Sequence, residues 1–177
     1  MAIVYHIDRT FSLSSNQTLS CVNNFDLGDI FNIYNNSFSA HGIQYLTKNV
    51  FNDTASFLWE IATEYVRILK YSHYPSRFKC LFAVENLEQA NIWKSLFNNQ
   101  SCQIAKIECS KYYKFDANWI TRPGIFHNYC ETDKFDNVSF ASYCYFADKY
   151  WSGQSSSSPI WELLVELPCK CVDILDY

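Results

Sequence analysis

Glycine and proline are scarce in this 177-residue chain, four of each, and methionine occurs once. So few breakers exclude collagen-like, linker-like and low-complexity sequences. A basic surplus is also missing: the net charge is −4. That withholds the usual electrostatic footprint of sequence-independent nucleic-acid binding. Arg67, Lys70, Arg77 and Lys79 make at most a local patch, and scattered solvated charge is the plainer reading. CxxC is absent among the eight cysteines, and Cys169-x-Cys171 is too tight for a zinc knuckle. His41 and His73 lack ligand spacing to any cysteine, so no metal site is expected. Cys130 and His127 are near in sequence but have no orienting motif for a nucleophile pair. Neither GxGxxG nor GxxxxGK[ST] occurs, which argues against a phosphate loop and a dinucleotide-binding doubly wound sheet.

Apolar runs of membrane-spanning length are missing too, and Asp8 and Arg9 arrive too early for a signal peptide. The expectation is a cytoplasmic protein that keeps its thiols reduced and does not engage the membrane. Apolar residues at 49% and aromatics at 18% point to one domain, residues 1–177, with a generous core.

Periodicity places the elements. Ile3–Ile7 reads as a short strand, Thr10–Asn24 as polar turns, Asp29–Tyr34 as a strand and Asn35–Gly42 as loop. Asp53–Tyr71 is the clearest helix, capped by Asn52 or Asp53, with Phe57, Leu58, Ile61, Tyr65, Ile68 and Leu69 as its apolar stripe. Arg77–Val84 reads as a buried strand running into a helix, Asn86–Phe97. Asn86 and Gln89 there have capping-box spacing, and Leu87, Ala90, Trp93 and Phe97 face inward. Cys102–Glu108 alternates as a strand, and Lys111–Asp116 continues or pairs with it. Arg122-Pro123-Gly124 is a turn, and Asn137–Trp151 is a third helix with Val138, Ala141, Cys144 and Tyr145 inward. Cys171–Leu175 closes the chain as a strand. Strands and helices are interspersed without a βαβ rhythm, so the fold class is α+β.

One stretch stands out, Trp151–Leu167. An aromatic end is followed by the polar run Ser152–Ser158, then Pro159, then a strand-like segment that carries Glu162 just ahead of Leu163, Leu164 and Val165. Apolar neighbours carry that acid to the edge of a core, where desolvation raises the cost of its charge. The plainer reading is a solvent-facing strand residue, with Glu166 as the competing acid.

Three segments resemble, in order, the motifs of the poly(ADP-ribose) polymerase-like (His-Tyr-Glu class) ADP-ribosyltransferases. Tyr5-His6-Ile7-Asp8-Arg9-Thr10 resembles the first core strand of that group. Cys80-Leu81-Phe82-Ala83 followed by Ala90 resembles its second motif, and Trp161-Glu162-Leu163-Leu164-Val165 its last. With Pro75-Ser76-Arg77 and Tyr150-Trp151-x-Gly153, the chain also resembles an uncharacterised bacterial family placed near these transferases. Two departures stand: Leu81 falls where the group has its nicotinamide-stacking tyrosine, and Ile160 falls where arginine-modifying relatives carry Glu or Gln. Phe82, Phe78 or Tyr74 is then left to supply the aromatic face.

The resemblance implies an ADP-ribosyltransferase-like fold of two small packed sheets with flanking helices. It implies NAD as co-substrate, with ADP-ribose passed to a macromolecular acceptor, protein ahead of nucleic acid. Glu162 would be catalytic, and His6, Arg9, Ser76 and Phe82 would bind the dinucleotide. Breaking the nicotinamide bond builds an oxocarbenium-like cation on the ribose, beside which an anion is needed. His6 would hold the adenosine ribose, Arg9 the diphosphate or adenine edge, and Ser76 would brace the ribose. Stand-alone domains of this kind are often toxins or phage-defence effectors with a neutralising antitoxin. The alternatives are an inactive NAD- or nucleotide-binding or interaction module on the same fold, and an NAD glycohydrolase.

Overall fold

The computed structural model describes residues 1–23, 29–47, 54–97, 101–121 and 139–175. They form a mixed α+β protein with small antiparallel sheets and flanking helices. Nine strands are described: β1 (Ala2–Asp8), β2 (Thr18–Leu19), β3 (Val22–Asn23), β4 (Ser37–Phe38), β5 (Cys80–Ala83), β6 (Gln103–Cys109), β7 (Tyr112–Asp116), β8 (Trp161–Glu166) and β9 (Cys169–Leu175). The described helices are α1 (Ala40–Thr47), α2 (Thr54–Lys70), α3 (Leu87–Leu96), α4 (Asn118–Thr121) and α5 (Phe140–Trp151). The sheets run β1-β6-β9-β2, β5-β8-β7 and β3-β4. Two compact units emerge, one of residues 1–46, 77–114 and 162–177, the other of 47–76 and 115–161.

The first unit holds the sheets' core. Val4, Ala105, Ile107, Cys109, Cys169 and Cys171 meet Ala83, Leu163 and Val165 in one buried cluster. β1 is bridged to the residue that follows β5, where Tyr5 and Val84 exchange backbone hydrogen bonds of 2.8 Å each way. Asn86 caps α3 by accepting from Gln89 N–H at 2.9 Å. The Gln89 side chain returns to the N–H of Glu85, one residue earlier than the usual capping box. Ala90 is buried with Leu87 and Trp93 around it, as the sequence spacing indicates.

Asp8 organises the turns after β1. One carboxylate oxygen accepts from Thr10 N–H at 2.9 Å and its hydroxyl at 2.7 Å. The other accepts from Ser12 N–H, Leu13 N–H and the Gln103 amide at 2.7–2.9 Å. The polar stretch expected to be turns also carries the two short strands β2 and β3.

Asp29–Tyr34 is a 3-10 turn and not a strand. Asn35 and Asn36 follow with φ of 53° and 46°, a left-handed pair that asparagine tolerates and an extended run does not. Asn35–Gly42 is β4 leading into α1, not loop. Gly42, the end of the stretch expected to be loop, lies inside the helix, where a Cβ would meet the Phe78 carbonyl oxygen at 2.1 Å. Arg77–Lys79 is a 3-10 turn ahead of β5. The Phe78 carbonyl accepts from Ser39 N–H at 2.9 Å and from its hydroxyl at 3.1 Å, so it pairs with the start of α1 instead of a strand.

The second unit is aromatic. Trp59 packs on Tyr143 with ring centroids 4.4 Å apart, and Trp151 donates its indole N–H to Thr63 O at 2.8 Å. The period predicted for α2 holds, but its phase does not. Trp59, Ala62, Thr63 and Val66 are buried, while Tyr65, Ile68 and Leu69 are 48%, 44% and 62% exposed. Small residues at 62 and 63 let α5 approach, and the buried Glu64 is satisfied by Arg67 at 2.8–3.1 Å. In α5 the buried stripe is Tyr143, Phe146, Ala147, Tyr150 and Trp151, two residues on from the expected Ala141, Cys144 and Tyr145. Large aromatic faces set the phase in both helices. Ser139 caps α5, and the expected start at Asn137 and Val138 lies outside the described residues, as do Asn52, Asp53, the turn at Arg122–Gly124, His127 and Cys130.

Candidate functional site

Glu162 is the second residue of β8 and is 5% exposed, so the core-edge position read from its neighbours holds and the solvent-facing alternation does not. Its Oε1 pairs with a terminal guanidinium nitrogen of Arg77, which is itself 5% exposed. Arg77 comes from the 3-10 turn before β5, and the Cζ of its guanidinium lies 4.5 Å from the Phe82 ring centroid. The His41 ring, from α1, meets the Phe82 ring in a T-shaped contact with centroids 4.5 Å apart, and Tyr45 meets His41 in the same way at 4.7 Å. Phe82 is thus flanked by a cation and an imidazole.

His6 sits on β1 opposite Ala105 and donates from Nδ1 to the Phe82 carbonyl at 2.6 Å. Burial lowers its pKa, outweighing the raising effects of that carbonyl and of Asp8. A neutral ring with its proton on Nδ1 presents Nε2 as a hydrogen-bond acceptor. His6 and Glu162 are therefore joined through one residue: the carbonyl of Phe82 holds the first, and its ring supports the guanidinium that holds the second.

Arg9 goes elsewhere, its guanidinium 4.3 Å from the Phe97 ring centroid at the end of α3. Ser76 is buried and is the last residue of the second unit before the chain passes to Arg77. Arg77 and His41 are the residues the sequence reading missed for this site. Arg77 was weighed as one of four scattered cations and as part of the Pro75-Ser76-Arg77 resemblance, without a role of its own, and His41 only as a metal ligand. The usable signal for Arg77 was an arginine directly after Pro75-Ser76 and ahead of an apolar strand, where exposure is hard to keep.

In the second unit, the polar run before Glu162 is anchored from below. Buried Asp116 accepts from Asn118 N–H at 3.0 Å, Ser156 N–H at 2.7 Å and Ile160 N–H at 2.9 Å. Trp119 donates its indole N–H to Gln154 O at 2.6 Å, and the Asn118 amide reaches Ser156 Oγ at 3.1 Å.

Seven described cysteines are free thiols. Burial, with Cys109 and Cys171 beside it, pushes the Cys169 thiol up to about 12, which suits a small hydrophobe more than a nucleophile. No described group of three or more His, Cys, Asp or Glu side chains is placed to hold a metal ion. No described helix is long and apolar enough to cross a membrane.

A family model described as "Protein of unknown function (DUF2441)" matches residues 4–177. No curated protein matches the chain.

Proposed function

We propose that this chain, which belongs to the DUF2441 family, is an NAD-dependent ADP-ribosyltransferase with an ADP-ribosyltransferase-like arrangement of its two larger sheets. The observation that carries the reading is the buried Glu162 carboxylate, fixed by Arg77 at the start of a core strand and linked through Phe82 to His6. A transferase of this kind needs an ordered anion beside the nicotinamide ribose. Burial and ion pairing supply the order.

In the step, the bond from ribose C1′ to the nicotinamide nitrogen breaks and its electron pair leaves with nicotinamide. The acceptor then bonds to C1′ and gives up its proton. Glu162 accepts a hydrogen bond from a ribose hydroxyl, orients the sugar and offsets part of the developing positive charge. His6 accepts through Nε2 from the adenosine ribose. The net charge of −4 favours a protein acceptor over a nucleic acid.

One observation favours a second reading. The Arg77 partner partly neutralises the carboxylate, which suits an inactive NAD-binding or interaction module. The deciding experiment is nicotinamide release from NAD by purified protein and by Glu162→Gln, with and without cell lysate. Release that needs lysate and is lost in the variant supports transfer; release without lysate indicates hydrolysis. Absent release with NAD binding retained in calorimetry leaves the binding module, and absence of both sinks every NAD-based reading.

A further inference from the structure

We propose that Arg77 is a positioning residue of this site, acting through Glu162, and that its guanidinium is set in place by Phe82, which His41 meets in a T-shaped contact. The proposal rests on the transferase reading above.

Arg77 and Glu162 are both almost fully buried, and their side chains face each other. Taking two such charges out of water costs several kcal/mol per ion, and their attraction does little more than offset it. A pair of apolar side chains of the same volume would hold the strand at least as well. The advantage of the ion pair is geometric: a planar, rigid donor group admits few orientations of the carboxylate it meets.

The guanidinium is itself constrained. Its Cζ lies 4.5 Å from the Phe82 centroid, and Phe82 in turn meets the His41 ring with centroids 4.5 Å apart. His41 is carried by α1, whose start is clamped to the neighbouring residue of the same turn: Ser39 donates twice to the Phe78 carbonyl, and Gly42 lets the helix lie against it. Four segments thus converge on one carboxylate: α1, the 77–79 turn, β5 and β8. The next cation along, Lys79, is turned away and donates to Tyr34 O at 3.1 Å.

The consequence is a carboxylate whose position is settled before substrate arrives. Misplacing a reacting group by about 1 Å costs on the order of 100-fold in rate. Arg77→Met is therefore expected to lower kcat by about that factor while KM stays within about twofold. Arg77→Lys keeps the charge but loses the planar fork, so it should recover only part of kcat. Arg77→Met combined with Glu162→Gln should be no slower than Glu162→Gln alone, because Arg77 acts through Glu162.

An activity-independent readout separates this idea from the transferase reading. In the wild type, nitrogen-15 spectra should show the Arg77 guanidinium nitrogens as separate signals, from hindered rotation, collapsing in Glu162→Gln. Separate signals together with the kcat loss and the non-additive double variant support the proposal. Averaged signals in the wild type overturn it, whatever the activity. So does a kcat loss that adds to that of Glu162→Gln, or a folded Arg77→Lys with wild-type kcat. Separate signals without any nicotinamide release overturn the transferase reading and leave a fixed ion pair with no catalytic part.

Discussion

Replacing Asp8 by asparagine tests how the turn after β1 is held. The carboxylate accepts five hydrogen bonds, from two donors of Thr10 and from Ser12, Leu13 and Gln103. Burial alone would raise its pKa, but these bonds, led by the Thr10 hydroxyl, hold it down at about 2 against an ordinary 3.8. A depression of that size corresponds to about 2.5 kcal/mol of folding free energy. Because the folded pKa lies below the unfolded one, the contribution is fully present above pH 3.8 and is lost as the pH falls toward 2. Asparagine keeps one acceptor oxygen but turns an NH2 group toward N–H donors. Asp8→Asn is therefore expected to lose about 2–3 kcal/mol at pH 7 in urea denaturation. The gap between wild type and variant should narrow as the pH is taken from 6 to 3. A gap that stays constant with pH, or is below about 0.5 kcal/mol at pH 7, would refute the reasoning.

Two further outcomes follow from the same kind of argument. The folded pKa of His6 is lowered, chiefly by burial, so the unfolded chain takes up its proton first and stability drops as pH falls below 6.5. In His6→Gln, denaturation midpoints measured between pH 7.5 and 5.5 should decline less than in the wild type. Asp116→Ala leaves the N–H groups of Asn118, Ser156 and Ile160 without their acceptor. It should cost about 2–4 kcal/mol and open residues 152–160 to limited proteolysis, and an unchanged cleavage pattern would count against the anchoring role.

How much was legible in the sequence depends on whether the deciding contact is local. Asn86 and Gln89 announced α3 because a cap is written within one turn of chain. The phases of α2 and α5 were not legible, because Tyr65, Ile68 and Leu69 are as apolar as Trp59 and Val66, and only the partner helix decides between them. Gly42 fell at the end of an expected loop, since the carbonyl that demands a glycine there belongs to Phe78, far along the chain. At the site, Glu162 stood out by its apolar flank, and His6 by the resemblance of its segment to a family motif. Arg77 and His41 did not, because what defines them is each other's position around Phe82.

The anchoring of residues 152–160 has a consequence for how such a surface can vary. Its path is fixed by backbone donors and acceptors, the N–H groups of Ser156 and Ile160 and the carbonyl of Gln154, all held by groups from the 116–119 segment. The side chains of Ser155 and Ser158 are exposed and take no part in those anchors. Shape and chemical identity are thereby separated in this loop. Residues at 155 and 158 can be exchanged for charged, aromatic or amide side chains while the conformation persists, which makes them natural positions for a library that retunes what the protein meets.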